Sequence, residues 1–262
     1  MRAGAAMGRT TRGDGETPWR GTAGIGTVRV REVGTVARHV LLAGIIGSTA
    51  YGLAGPGSDV DRIGVFAVDT VELHGLRAPR ESYVTTRPDV TLHEAAKWCR
   101  LALGANPTAT ELAWLPPDLY ETRTALGDDL VALRRAFLCA PRVRAAYLGY
   151  AARQLRTVER RLTGPGGANP RVAKAARHLA RLVAQGRQLY RTGTVEIRLA
   201  DPEPVRRFGE RVAGGDLAAA YRLLAEAGDD LDRGRSPLPD RPDDEAVERW
   251  LRAVRAAHLA VA

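Results

Sequence analysis

Two aspartates stand one residue apart in the stretch GSTAYGLAGPGSDVDRIGV, which runs from Gly47 to Val65 and opens on a Gly-Ser pair. Asp59 and Asp61 at i and i+2 on a strand point to one face. Two carboxylates side by side repel unless a cation lies between them, and hard oxygen donors of this kind suit Mg²⁺. A pair of divalent ions about 3.5–4 Å apart stabilises the attacking and leaving oxygens of an in-line displacement. The Gly-Ser pair fits the other half of such chemistry. Gly47 allows close backbone approach, Ser48 adds a hydroxyl, and N–H groups at a strand-to-helix turn hold phosphate oxygens. The residue types therefore point to a nucleoside triphosphate and metal-assisted chemistry at phosphorus.

These residues need elements to position them. Val40 to Ile46 is a continuous apolar run that reads as a strand buried on both faces. Ser48 reads as an N-cap with a helix beginning near Thr49, Gly55 to Ser58 as a loop, and Asp59 to Val68 as the next strand. "ESYVTT" is a weaker strand, and Arg87 before Pro88 is expected to be extended. From Val90 the period changes to that of a helix, with Leu92, Ala95, Ala96, Cys99, Ala102 and Leu103 as its stripe and Gly104 and Pro107 as its punctuation. A short helix is expected from Thr108 to Leu115.

The remainder reads as helices over about 141–162, 171–191, 204–212 and 216–232, with "TVEIRL" as a short alternating strand. A proline-rich linker leads to a final amphipathic helix carrying Val247, Trp250, Leu251 and Val254 on one face. The fold class expected is mixed α/β: a small sheet flanked by helices, then a mostly helical half. The expected divisions are a disordered tail over 1–27, a catalytic domain over 28–125 that opens on a short helix over 28–39, a helical domain over 126–233, and the linker and last helix over 234–262.

The order Gly-Ser, ten residues, Asp-Val-Asp resembles the motif of the DNA polymerase β-type nucleotidyltransferase superfamily. The whole string is similar to one branch, named for an RNA-repair-pathway polymerase β-like protein. The likeness continues through "DVTLHEAAKWCRLALGANPTATELAW" and covers Val40 to Trp114 well. It implies transfer of a nucleoside monophosphate to an acceptor hydroxyl with release of pyrophosphate, assisted by two Mg²⁺ or Mn²⁺ ions. It also implies a third carboxylate, for which Asp89 is the first choice and Asp69, Glu72 and Glu81 are alternatives. Gly47 and Ser48 would then meet the triphosphate, and Lys97, eight residues after Asp89, would reach a phosphate. The branch often carries an arginine two residues after the second aspartate; here Ile63 stands there and Arg62 precedes it.

Other features narrow the partners. The net charge of +9 is nearly all arginine, only Lys97 and Lys174 being lysines, so polyanions are attracted. Arg171, Lys174, His178 and Arg181 share one side of a helix, as do Arg153, Arg156 and Arg160 on the helix before it; these stripes suit a triphosphate, an RNA backbone or plain solvation. His93, His178, Glu111, Tyr51, Trp98 and Trp114 read as packing residues. Cys99 and Cys139 form neither a disulfide framework nor a zinc site, which suits a reducing cytoplasm. No apolar run is long enough to span a membrane, and the N-terminus lacks the apolar stretch of a secretory signal. The acceptor stays open between RNA, protein and a small molecule, as does the base. A nucleotide- or RNA-binding module without turnover is the alternative from a different class.

Overall fold

The structure, a computed structural model, describes Ala37, residues 39–164 and residues 170–259. The expected tail over 1–27 and nearly all of the short helix over 28–39 lie outside the described residues. Five strands form one mixed sheet: β1 (His39–Ile46), β2 (Asp61–Ala67), β3 (Ser82–Thr86), β4 (Asp89–Glu94) and β5 (Tyr120–Arg123), in the order β3-β4-β2-β1-β5. Only β2 and β4 are parallel. The register of that sheet sets the site. Ile46 of β1 lies opposite Asp61 of β2, and Arg62 of β2 lies beside Val90 of β4. The end of β1 and the starts of β2 and β4 therefore meet at one end of the sheet, with Gly47, Asp61 and Asp89 level with one another.

Two boundaries differ from the sequence reading for a shared reason: a strand exists only where a neighbour pairs with it. Asp59 is not on a strand. β1 turns away at Gly47, so nothing is left for Asp59 to pair with, and it sits exposed on the loop ahead of β2. The helix expected from Val90 begins only at Ala95, because residues 89–94 pair with both β2 and β3. Along β4 the alternation buries Val90, Leu92 and Glu94 and turns Asp89, Thr91 and His93 to the other face. Glu94 then caps α2 (Ala95–Leu103), its carboxylate accepting from the Ala96 N–H. "TVEIRL" is likewise not a strand. Its alternation is real, Val195 and Ile197 being buried, but no described strand pairs with it.

Next to the sheet lie α1 (Gly47–Tyr51), α3 (Pro107–Ala113) and α4 (Ala125–Ala132). Asn106 caps α3 through bonds from Thr108 N and Ala109 N, with Pro107 in the first turn. The helical half consists of α5 (Ala140–Thr163), α6 (Pro170–Thr192), α7 (Glu203–Ala213) and α8 (Leu217–Arg233). One hydrophobic cluster runs from Leu41 and Ile63 in the sheet through Trp98 and Leu112 to Leu179, Leu182 and Leu189 of α6. α6 is thereby pressed against the sheet half, and its polar edge faces the sheet end where Asp61 and Asp89 lie.

The last described helix, α9 (Asp244–Ala257), packs back on the sheet half. Trp250 is buried and donates from Nε1 to the Leu126 carbonyl at 2.9 Å. Arg255 meets the buried carboxylate of Glu94 at 2.6 Å, and Thr70 bonds the carbonyls of Arg255 and His258. Cys99 and Cys139 are free and buried, and burial pushes the Cys99 thiol up to about 12, so it stays protonated. No described helix is long and apolar enough to cross a membrane.

Candidate nucleotide and metal site

A cleft of about 480 Å³ opens between the end of the sheet and α6. On the sheet side Gly47, Ser48, Asp61, Arg62, Asp89, Thr91 and His93 line it; Thr108 and Glu111 of α3 form its floor; Lys174, Arg177, His178 and Arg181 of α6 close the opposite side.

Gly47 is held at φ +72°, a left-handed conformation that favours glycine. A Cβ placed there would lie 2.3 Å from Asp61 Oδ2. The turn and the carboxylate thus occupy each other's space, and only a residue without a side chain lets both exist. Ser48 is not the N-cap: α1 begins at Gly47, Ile46 holds the cap position, and no side chain caps the turn. The Ser48 carbonyl instead anchors the loop by accepting from Leu53 N and Ala54 N at 2.9 and 3.0 Å. At five residues α1 is too short for a sizeable macrodipole. An anion here would meet backbone N–H groups and the Ser48 hydroxyl rather than a helix field.

The Asp61 carboxyl is raised above its ordinary value, first by burial and next by the charge of Asp89, with Asp59 and Glu111 adding to the rise and Lys174 opposing it. Among the described residues no group of three or more His, Cys, Asp or Glu side chains is gathered to hold a metal ion alone. Mg²⁺ typically takes one or two carboxylates and completes its shell with substrate phosphates and water. Asp61 and Asp89, crowded enough to lift a pKa, fit that pattern. Asp59 adds its charge at Asp61 from its loop without lining the cleft.

Beneath the cleft lies a buried ionic network. Glu111 and Arg181 are each 3% exposed. Arg181 donates to Glu111 Oε1, to Gln185 Oε1 at 2.7 Å and to His178 Nδ1 at 2.9 Å, and its guanidinium stacks 4.1 Å over the Tyr51 ring. Tyr51 in turn donates its hydroxyl to Glu111. Burial opposes the Arg181 charge, but Glu111 outweighs it and the pKa is raised. The network ties α1, α3 and α6 together under the Gly-Ser turn.

Because an arginine only donates, His178 Nδ1 must accept, which leaves the ring proton on Nε2. Burial, then the charges of Arg181 and Lys174, push His178 down to about 3. His178 is therefore expected to show a neutral imidazole in an NMR titration from about pH 8 to about pH 5. A midpoint near the ordinary 6.5 would contradict the packing described. With the folded value depressed, the stability His178 supplies is present above its unfolded value and is lost as pH falls from about 6.5 towards about 3.

Lys97 does not line the cleft. It lies 3.6 Å from Glu81 Oε2 on the outer side of α2, because the helix that carries it starts after β4 rather than at Val90. Its charge helps to lower His93, after burial, and His93 Nδ1 shares a hydrogen bond of 2.8 Å with Ser82 Oγ. Of the other carboxylates considered, Asp69 pairs with His39 at 2.9 Å, Glu81 pairs with Arg100 and Lys97, and Glu72 is exposed; none lines the cleft. Arg62 lines it but is held by Glu121 at 2.9 Å. The α6 stripe contributes Lys174, His178 and Arg181, whereas Arg171 and the α5 arginines lie outside. Arg177, Thr91 and Thr108 line the cleft without being singled out as site residues by the sequence. Arg177 carried a usable signal, three residues after Lys174 and four before Arg181.

Acidic side chains at the end of a mixed sheet, set against a Gly-Ser turn and faced by a cationic helix, define the nucleotidyltransferase class. The model of the RNA repair pathway DNA polymerase beta family matches residues 28–201, and the chain belongs to that family. No curated protein matches the sequence. Among solved structures the chain is similar to a nucleotidyltransferase-like protein from Exiguobacterium sibiricum 255-15, with 15% identity, 77% of this chain and 76% of that chain covered, and a TM-score of 0.34.

Proposed function

We propose that the protein transfers a nucleoside monophosphate from a nucleoside triphosphate to an acceptor hydroxyl and releases pyrophosphate. The observation that carries this reading is the half-buried Asp61 carboxylate, pressed against Gly47, level with Asp89 and opposed by cations of α6. Asp61 and Asp89, with Asp59 on the adjoining loop, are the groups that would hold divalent ions, Mg²⁺ or Mn²⁺. When bound, such ions lower the pKa of a hydroxyl and neutralise charge on a departing phosphate. Gly47 and Ser48 would fix the triphosphate by close backbone approach and a hydroxyl. The acceptor hydroxyl would give up its proton to solvent, its oxygen would bond to the α-phosphorus as the bond to the bridging oxygen breaks, and the pyrophosphate would carry away the electron pair. The chain's contribution is orientation and charge placement in a narrow cleft. RNA is the acceptor this family suggests, and buried free thiols suit a cytoplasmic setting.

The test is a label-transfer assay with each α-labelled nucleoside triphosphate, Mg²⁺ or Mn²⁺, and separate pools of RNA and protein. Label on a macromolecule, lost on chelation, is the expected result and also names the acceptor class and base. A second reading, a nucleotide- or RNA-binding module without turnover, is favoured by one observation: Asp59 lies outside the cleft, so that among the described residues no three-carboxylate group is assembled. Nucleotide binding without transfer to any pool would support it.

A further inference from the structure

We propose that Lys174 and Arg177 of α6 form a polyphosphate subsite, so that the α6 side of the cleft holds a single compact polyanion rather than a nucleic-acid backbone. The inference deepens the nucleotidyl-transfer reading and rests on it for the identity of the ligand. Three observations carry it.

The first is pairing. The other cations lining the cleft already have anionic partners: Arg62 sits on Glu121 and Arg181 on Glu111. Lys174 and Arg177 line the same cleft and form no ion pair with a described carboxylate. A cation left unpaired beside a cleft, in a fold that pairs so many of its arginines, is placed for an anion from outside.

The second is position. Lys174 and Arg177 are three residues apart on one helix, so they present adjacent charges. They face Asp61 and Asp89 across the cleft, and the Lys174 charge is felt at Asp61. A triphosphate whose reacting end lay at the two aspartates would extend its remaining phosphates towards α6. Arg177 is also braced: its side chain packs on α7, where a Cβ at Gly209 would lie 2.6 Å from Arg177 Cγ.

The third is size. A cleft of about 480 Å³ falls within the roughly 300–1,000 Å³ of small-molecule sites. The α5 arginines Arg153, Arg156 and Arg160, which an extended backbone would also use, lie outside it. Lysine here acts as a point charge, and arginine adds a two-pronged donor.

Binding of nucleoside triphosphates, nucleoside monophosphates and inorganic tripolyphosphate, each with Mg²⁺, is to be measured by calorimetry on the full chain. Lys174→Ala and Arg177→Ala are each expected to weaken triphosphate and tripolyphosphate binding about tenfold or more, with monophosphate binding little changed. Lys174→Arg should recover most of the loss. Arg156→Ala, an exposed change outside the cleft, should change nothing. Lys174 is exposed, so its replacement leaves the fold intact and keeps the test sound even if Arg177→Ala misfolds. Triphosphate binding unaffected by Lys174→Ala and Arg177→Ala would overturn the subsite and leave the nucleotide reading standing. Binding of tripolyphosphate but no nucleotide, lost in the variants, would uphold the subsite and remove the nucleotide reading. Binding of neither ligand to the wild type would overturn both.

Discussion

Asp61→Asn is expected to cut nucleotidyl transfer by at least ~100-fold while leaving the ligand-free fold no less stable than the wild type. The two halves of this expectation have one cause. Asp61 is half-buried beside Asp89 and its carboxyl is raised by burial and by that neighbour. In the free protein its negative charge is therefore a liability, and the isosteric neutral amide removes it. Once nucleotide and divalent ions enter, the same charge becomes the attraction, and the amide cannot supply it. The pH dependence follows in sign. A carboxyl whose folded value lies above its unfolded value favours the folded state most when protonated, so stability falls as pH rises from the ordinary carboxylate value through the raised one. Metal affinity runs the other way, increasing as Asp61 ionises. Denaturant melts and transfer rates, measured side by side over that window, check both halves. An unchanged transfer rate in Asp61→Asn would remove this residue from the chemistry, and a large loss of stability would contradict the crowding.

Arg181→Ala is expected to destabilise the protein by about 3–5 kcal/mol, and Glu111→Ala by a comparable amount. Each partner is 3% exposed, and removing one strands the other's charge away from water. Arg181 also gives up its stacking on Tyr51 and its bonds to Gln185 and His178. The double change Arg181→Met/Glu111→Leu should cost far less than the single ones added together, because no buried charge is left behind. Urea unfolding of the three variants gives the comparison. Transfer should fall further than stability in the double variant. Tyr51 would lose the Glu111 acceptor that holds the last residue of α1, and with it the bracing of the Gly-Ser turn. Additive costs in the double variant would mean that the two residues act independently, against the geometry.

The parts of the site that lie close together in the chain were the parts that could be read before folding. Gly47, Ser48 and Asp61 lie within nineteen consecutive residues, Gly47 to Val65, and the three-and-four spacing of α6 places Lys174, His178 and Arg181 on one side. What escaped was whatever depends on pairing between distant segments. Val90 and Leu92 fit a helix stripe and a strand equally well, and only the neighbours β2 and β3 decide between them. That choice shifts the start of α2 and carries Lys97 to Glu81. Asp59 shows the same limit, since its alternation with Asp61 matters only if β1 continues past Gly47. Val195 and Ile197 alternate inwards with no described strand beside them. Glu111 and Tyr51 read as packing residues, and they are buried; that they share one guanidinium from a helix far along the chain could not be seen from either.

The contact between Arg255 and Glu94 has a consequence for how the chain is made. Glu94 closes β4 and caps α2 inside the sheet half, yet its counter-ion belongs to the last described helix. Synthesis proceeds from the N-terminus at about 5–20 residues per second, so the nascent sheet waits roughly 8–30 seconds for Arg255 with an acid that must stay hydrated. The sheet half can collapse early, but it cannot seal around Glu94 until α9 arrives. Closure of this edge is thus deferred until α9 has been translated, and a ribosome that stalls beforehand holds a chain with an open flank at Glu94.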